Sequence, residues 1–228
     1  MTAEAGLWRF GRDVPAVGRI GYRVCRHSAH DSQLKMSSAT NIALVGVGGQ
    51  GIVLASEVIS RAAMLSGLDV KKSEVHGMAQ RGGSVTSHVR IGQKVYSPLI
   101  PEGETDFLVG FELLESLRYA DTLADTGVAI INRQIIVPVT VSSGEQPWPD
   151  DIDERIARAF PRRTMIDALE MAGELGNIRV VSMIMTGALS SLLKIDRAAW
   201  EQAAAELVPA RYRDVNLRAF AAGSRSSG

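Results

Sequence analysis

From Ser73 to Ser84 the chain reads Ser-Glu-Val-His-Gly-Met-Ala-Gln-Arg-Gly-Gly-Ser, which sets an acid, an imidazole, a carboxamide and a guanidinium within eight residues. Gly77, Gly82 and Gly83 let the backbone fold sharply around them. Arg81 carries the planar fork that grips a carboxylate or phosphate through two parallel hydrogen bonds. His76 titrates near neutrality and can orient a group or move a proton. Gln80 and the glycine N–H groups can satisfy an oxyanion. The same residues suit a structural interface, with Glu74 pairing Arg81 or capping a partner. Residue types alone leave ligand contact and partner contact open. Glu74, His76 and Arg81 are the candidates for catalysis. Gly77, Met78, Gln80, Gly82, Gly83 and Ser84 are candidates for cofactor contact or for a subunit boundary.

A second glycine run lies upstream. Gly46-Val47-Gly48-Gly49-Gln50-Gly51 fits G-x-G-x-x-G between a strand and a helix. Glycine permits a tight turn and close approach to a diphosphate, and a helix N-terminus supplies N–H donors. Gly48, Gly49, Gln50 and Gly51 are therefore further candidates for cofactor or boundary contact. A nicotinamide or flavin site also needs an acid at the end of the next strand to hold the ribose hydroxyls. That strand ends in Lys71-Lys72, with Asp69 before and Glu74 after, and neither acid is cleanly placed. The other reading is that these glycines only allow strand and helix to pack closely.

Bulk chemistry excludes several classes. Hydrophobic residues make up 46% and charged residues 22%, the balance of a globular protein. Lys+Arg and Asp+Glu are both 25, so no net charge draws the chain to nucleic acid or to an anionic membrane. The longest apolar run, Val180 to Leu193, is interrupted by Ser182, Thr186, Gly187 and Ser190 and falls short of the roughly 20 residues that span a bilayer. A cytoplasmic location is expected. Cys25 is the only cysteine. One thiol cannot close an internal disulfide or hold an iron–sulfur cluster, and no metal site is expected on this chain.

The elements that must position these loops read as α/β. Residues 1–39 look unlike the rest: Arg9, Arg12, Arg19, Arg23 and Arg26 stand against Glu4, Asp13 and Asp31, with no clear period. They read as a disordered extension, as sequence upstream of a start at Met36, or as an Arg-rich transit segment. Ile42–Gly46 predicts a buried strand, and 50–66 a helix with Ala55, Val58, Ile59 and Ala62 on one face. Gly67 caps it. Strands are expected at 68–72 and, with Val85, Ser87, Val89 and Ile91 on one face, at 84–91; 107–111 and 128–131 predict two more, and such continuous apolar runs suit a sheet covered on both faces. His88 reads as structural, and Glu112 and Glu115 as acids favouring a helix dipole. A surface loop is expected at 138–151. Met165, Leu169 and Ala172 predict a helix face. Asp196 is read as the N-cap of a helix carrying Trp200, Ala203, Ala204 and Leu207. A last helix spans 213–221, and 223–228 form a flexible tail. The fold class is a single Rossmann-like open, mostly parallel sheet with helices on both faces.

Both loops, with Tyr96-Ser-Pro-Leu-Ile-Pro-Glu-Gly103, Asp106 to Glu112, Asn132, Glu174 to Asn177 and Asn216 to Phe220, resemble the gamma-type domain of the 2-oxoacid:ferredoxin oxidoreductase family. The resemblance covers residues 40–222 and is greatest to the beta subunits of the indolepyruvate enzymes. It implies oxidative decarboxylation of an aryl pyruvate to its acyl-CoA with reduction of ferredoxin. Gamma subunits for pyruvate, 2-oxoglutarate and branched-chain oxoacids share the loops and stand as alternatives. A stand-alone dinucleotide-binding protein and a scaffold without ligand contact are alternatives of another class. The resemblance further implies that thiamine diphosphate and the iron–sulfur clusters sit on a large alpha subunit, with coenzyme A as co-substrate. This chain would then be inactive alone, and the Glu74 to Gly83 loop would lie near the subunit boundary.

Overall fold

The computed structural model describes residues 39–76, 83–137 and 151–226. Six strands form one sheet: β1 (Thr40–Val47), β2 (Asp69–His76), β3 (Ser84–Gly92), β4 (Thr105–Gly110), β5 (Leu123–Asn132) and β6 (Arg163–Ile166). Their order across the sheet is β2-β3-β1-β4-β5-β6. β1, β4, β5 and β6 run parallel, and β3 lies antiparallel to both β1 and β2. The expectation of a mostly parallel sheet holds, with a hairpin at one edge. Seven helices pack on it among the described residues: α1 (Ile52–Leu65), α2 (Leu113–Arg118), α3 (Ile152–Ala159), α4 (Ala168–Glu174), α5 (Val181–Ser190), α6 (Arg197–Leu207) and α7 (Arg213–Arg225).

The continuous apolar strands divide their side chains between two cores, because successive residues point to opposite faces. Ile42 and Leu44 of β1, Val109 of β4 and Ile130 of β5 join α1, α4, α5, α6 and α7 in the larger core. Ala43, Val45, Leu108, Ala129 and Ile131 face Leu113 of α2 and Ile152, Ile156 and Phe160 in the smaller one. Helices therefore cover both faces. α5 is buried at every residue. This is the interrupted apolar run of the sequence, and its polar residues bond inward: Thr186 Oγ1 donates to the Ser182 carbonyl at 2.8 Å and Ser190 Oγ to the Gly187 carbonyl at 2.6 Å.

Gly67 ends α1 as expected. Its φ of 77° is left-handed, Leu68 N donates to the Ala63 carbonyl at 3.1 Å, and Gly67 N to the Met64 carbonyl at 3.0 Å. Other boundaries differ from the expectation. β2 runs on to His76, because pairing with β3 carries the hairpin to His76↔Val85. Glu74 and His76 are thus strand residues, not loop residues. Met165 lies in β6, which pairs with β5, while α4 begins after Asp167 and leaves Leu169 exposed. A four-residue strand behind two arginines carries no readable alternation. Asp196 stands at the N-cap of α6, yet its carboxylate accepts no backbone amide. Trp200, Ala203 and Ala204 are buried, whereas Leu207 is exposed. α7 extends to Arg225, past the expected end, because Gly223 packs against Ile184 of α5. Residues 1–38 and 138–150 lie outside the described residues.

Candidate functional site

β1, β2, β4, β5 and β6 all point their C-terminal ends to one edge of the sheet, and the chain reverses its direction across the sheet between β1 and β4. In open α/β sheets ligands bind at such a switch point. The turn after β1 and, of the second glycine loop, the end of β2 and Gly83 lie on this edge. Gly48 N donates to the Gly83 carbonyl at 2.9 Å, so the turn after β1 and the end of the hairpin loop are joined by backbone. Gly51 is left-handed, with φ 81°, and a Cβ there would lie 2.8 Å from Ser182 Oγ at the start of α5. Gly49 faces open space.

Gln50 was expected to begin the helix. The left-handed Gly51 ends the turn instead, and α1 starts at Ile52. The Gln50 side chain is thereby free to fill the switch point. Its Oε1 accepts from Val47 N at 2.7 Å, and its Nε2 donates to the Phe111 carbonyl at 2.9 Å and to Gln134 Oε1 at 3.0 Å. A Cβ at Gly46 would lie 2.6 Å from Gln50 Oε1. The crevice that would take a dinucleotide diphosphate therefore holds a protein carboxamide.

The ends of β4 and β5 complete the edge. Asn132 is buried; its Nδ2 donates to the Phe111 carbonyl and to Gln134 Oε1, both at 3.1 Å, and its Oδ1 accepts from Ala168 N at 3.1 Å. Glu112 caps α2: Oε2 accepts from Glu115 N at 2.8 Å and Oε1 from Ile136 N at 3.2 Å. Burial pushes its carboxyl above the ordinary glutamate value, against the two N–H donors that favour the charge. Glu115, also buried, accepts from Ser84 Oγ at 2.6 Å and pairs with Arg118 at 3.2 Å. The dipole alone does not account for these acids: they tie α2 to the start of β3 and to the segment after β5.

The structure places the other sequence candidates as follows. Glu74 accepts from Lys72 Nζ at 2.8 Å and from Ser56 Oγ at 3.1 Å. Lys72 also bonds Glu57; burial works against its charge, and the two carboxylates outweigh it and hold its pKa above the ordinary lysine value. The position where a dinucleotide fold needs a ribose-binding acid thus carries a neutralised lysine. His88 lies within β3, and burial pushes its imidazole below the ordinary value. Gly77, Met78, Gln80, Arg81 and Gly82 lie outside the described residues. Gly83 and Ser84 meet the first loop and α2. Gln134 carried no sequence signal; Asn132, Glu112 and Glu115 could have been found from their place just after parallel strands. Among the described residues no group of three or more His, Cys, Asp or Glu can hold a metal ion. A cluster of four thiolates is beyond a chain with one cysteine. No helix among the described residues is long and apolar enough to cross a membrane.

A family model described as pyruvate ferredoxin/flavodoxin oxidoreductase matches residues 41–226. The chain is 40% identical over 189 residues to the indolepyruvate oxidoreductase subunit IorB of Archaeoglobus fulgidus, covering 80% of this chain and 92% of the relative. It is 38% identical to IorB of Thermococcus kodakarensis, covering 82% and 95%. Among solved structures it resembles the 2-oxoglutarate:ferredoxin oxidoreductase of Magnetococcus marinus with 2-oxoglutarate, coenzyme A and succinyl-CoA bound. The TM-score is 0.64 at 21% identity, covering 83% of this chain and 31% of that one. A sheet closed at its switch point by a carboxamide, two joined glycine loops and a match over nearly every described residue lead to one assignment: the chain belongs to the pyruvate ferredoxin/flavodoxin oxidoreductase family.

Proposed function

We propose that the chain is the small subunit of an indolepyruvate:ferredoxin oxidoreductase, which converts indole-3-pyruvate and coenzyme A to the aryl-acetyl-CoA and carbon dioxide while reducing ferredoxin. The observation that carries this reading is the identity to IorB subunits along nearly their whole length. Thiamine diphosphate and iron–sulfur clusters, held by a large partner subunit, supply the decarboxylation and the electron path. This chain's donor set fits that division, since its one cysteine cannot bind a cluster. The complex works in the cytoplasm.

The chain's own part is to shape the C-terminal edge of its sheet as one wall of the substrate space. Gly48, Gly49, Gln50, Gly51, Gly83 and Ser84 line that wall, held by the Gly48–Gly83 backbone bond, the Gln50 carboxamide and the Ser84–Glu115 bond. The arginine fork at Arg81 meets an anionic group, and Glu74 and His76 stand at the end of β2 that leads to it. Gly77, Met78, Gln80 and Gly82 complete the boundary with the large subunit. Exposed Val53, Val75, Ile135 and Val137 on the same edge supply apolar area for that contact.

Co-expression with the large subunit tests the reading. A stable complex that reduces a dye with indolepyruvate, in preference to pyruvate, 2-oxoglutarate or 2-oxoisovalerate, is expected. Arg81→Ala should leave the complex assembled and lower its turnover. Unchanged turnover would make the chain a scaffold. Micromolar binding of NAD(H), NADP(H) or FAD to the isolated chain would instead favour a dinucleotide-binding protein.

A further inference from the structure

Two carboxamides, Gln50 and Asn132, converge on the Phe111 carbonyl oxygen at the switch point, and a third, Gln134, accepts from both. Backbone groups fix which way two of them face. Gln50 must turn Oε1 to the Val47 N–H, and Asn132 must turn Oδ1 to the Ala168 N–H, because those partners only donate. Both NH2 groups therefore face the Phe111 carbonyl. Their remaining hydrogens point at Gln134, at 3.0 and 3.1 Å, and only an oxygen can accept them. The Gln134 amide is thus set by its neighbours: Oε1 is filled by two donors, and Nε2 is turned away from both.

The backbone beneath it is equally fixed. The Gln134 carbonyl accepts from Leu113 N at 3.0 Å, Arg133 N donates to the Ile166 carbonyl at 2.9 Å, and Ile136 N donates to Glu112 Oε1 at 3.2 Å. Among the described residues no atom accepts from Gln134 Nε2. A half-buried NH2 with settled orientation on rigid backbone, at the edge where open α/β sheets bind ligands, is a donor prepared for an oxygen that only accepts.

We infer that Gln134 is a ligand-contacting residue whose Nε2 donates to an anionic oxygen of a substrate. The inference rests on the proposed function, and two of its substrates carry that chemistry: the oxoacid through its carboxylate and coenzyme A through its phosphates. Gln50 and Asn132 are positioning residues that act through the Gln134 amide.

Gln134→Glu isolates the claim. The carboxylate keeps an oxygen for Gln50 and Asn132 and puts a second oxygen where the NH2 stood. In the assembled complex, equilibrium dialysis of coenzyme A and the KM for indolepyruvate are measured for both proteins, with Gln134→Met as a second variant. A loss of roughly tenfold or more for one ligand and not the other, the size of a lost charge-assisted hydrogen bond, is expected. A weaker dialysis constant names the phosphate, and a raised KM names the carboxylate. Both values within about twofold of the parent in both variants, within the range of a contact worth less than RT, would overturn the inference. So would a Gln134→Glu chain that no longer joins the large subunit, since Nε2 would then serve assembly. If the parent complex does not oxidise indolepyruvate at all, the proposed function fails instead, and the coenzyme A measurement still judges Gln134.

Discussion

Ser84 Oγ donates to Glu115 Oε2 at 2.6 Å, and through this bond the first residue of β3 is fastened to α2. The Glu115 side chain is 7% exposed, so water cannot readily replace the hydroxyl. Ser84→Ala leaves a buried carboxylate oxygen short of a donor, which costs about 1–2 kcal/mol. Thermal melting of the purified chain should fall by about 3–6 °C. Ser84→Thr keeps the hydroxyl and should recover most of the loss. An unchanged melting point in Ser84→Ala would mean that Arg118 alone satisfies Glu115.

The raised pKa of Glu112 makes a prediction about pH. Burial disfavours its ionised form, so the folded chain holds this proton more tightly than the unfolded chain does. Its contribution to stability is complete below the ordinary glutamate value and is lost as pH rises through the raised, folded value. Urea unfolding of the parent and of Glu112→Gln, run across that window, isolates the effect because the remaining groups cancel in the difference. The parent should gain on the variant as pH falls from neutrality. A difference that stays constant with pH would show that the two backbone donors cancel the burial.

β1, β4 and β5 were legible because they carry continuous apolar runs, and a sheet buried on both faces needs such runs. Ile42 to Gly46 and Phe107 to Phe111 left little choice. β6 was not legible: Arg163 to Ile166 is short and has no alternation, and only its pairing with β5 makes it a strand. The site was half legible. Gly48 and Gly83 announced their loops by type. Gln134 did not, because a glutamine after a strand looks like surface until its two donors, Gln50 and Asn132, are brought beside it from 84 and 2 residues away. A partner brought in from 84 residues away, as Gln50 is, carries no sequence period.

Two helical glycines should respond to alanine in opposite ways. A Cβ at Gly187 would lie 2.1 Å from the Phe220 carbonyl oxygen, where α5 crosses α7 backbone to backbone. Nothing there can give without separating the helices, so Gly187→Ala should cost about 3 kcal/mol or more. Gly173, in α4, has nothing within 4 Å of an added Cβ. Gly173→Ala should therefore stabilise by about 0.5–1 kcal/mol, through the helix preference of alanine and the less flexible unfolded chain. Urea midpoints of the two variants, moved in opposite directions from the parent, are the expected result. A tolerated Gly187→Ala would show that α5 and α7 can move apart.

Gln50→Glu is the sharpest test of the closed switch point. The substitution changes one NH2 to an oxygen and keeps the shape. Oε1 still accepts from Val47 N, but the second oxygen now faces the Phe111 carbonyl and Gln134 Oε1, both of which only accept. Two donated bonds are replaced by two contacts between lone pairs. The cost should reach about 2–4 kcal/mol, more than the loss of one ordinary hydrogen bond, because the displaced charge cannot turn to water without leaving Val47 N unpaired. Gln50→Ala removes the same bonds without adding charge and should cost less. Urea unfolding orders the three proteins, with the parent most stable and Gln50→Glu least. If Gln50→Ala were the weaker of the two variants, the carboxamide would be filling space at the switch point and not bonding across it.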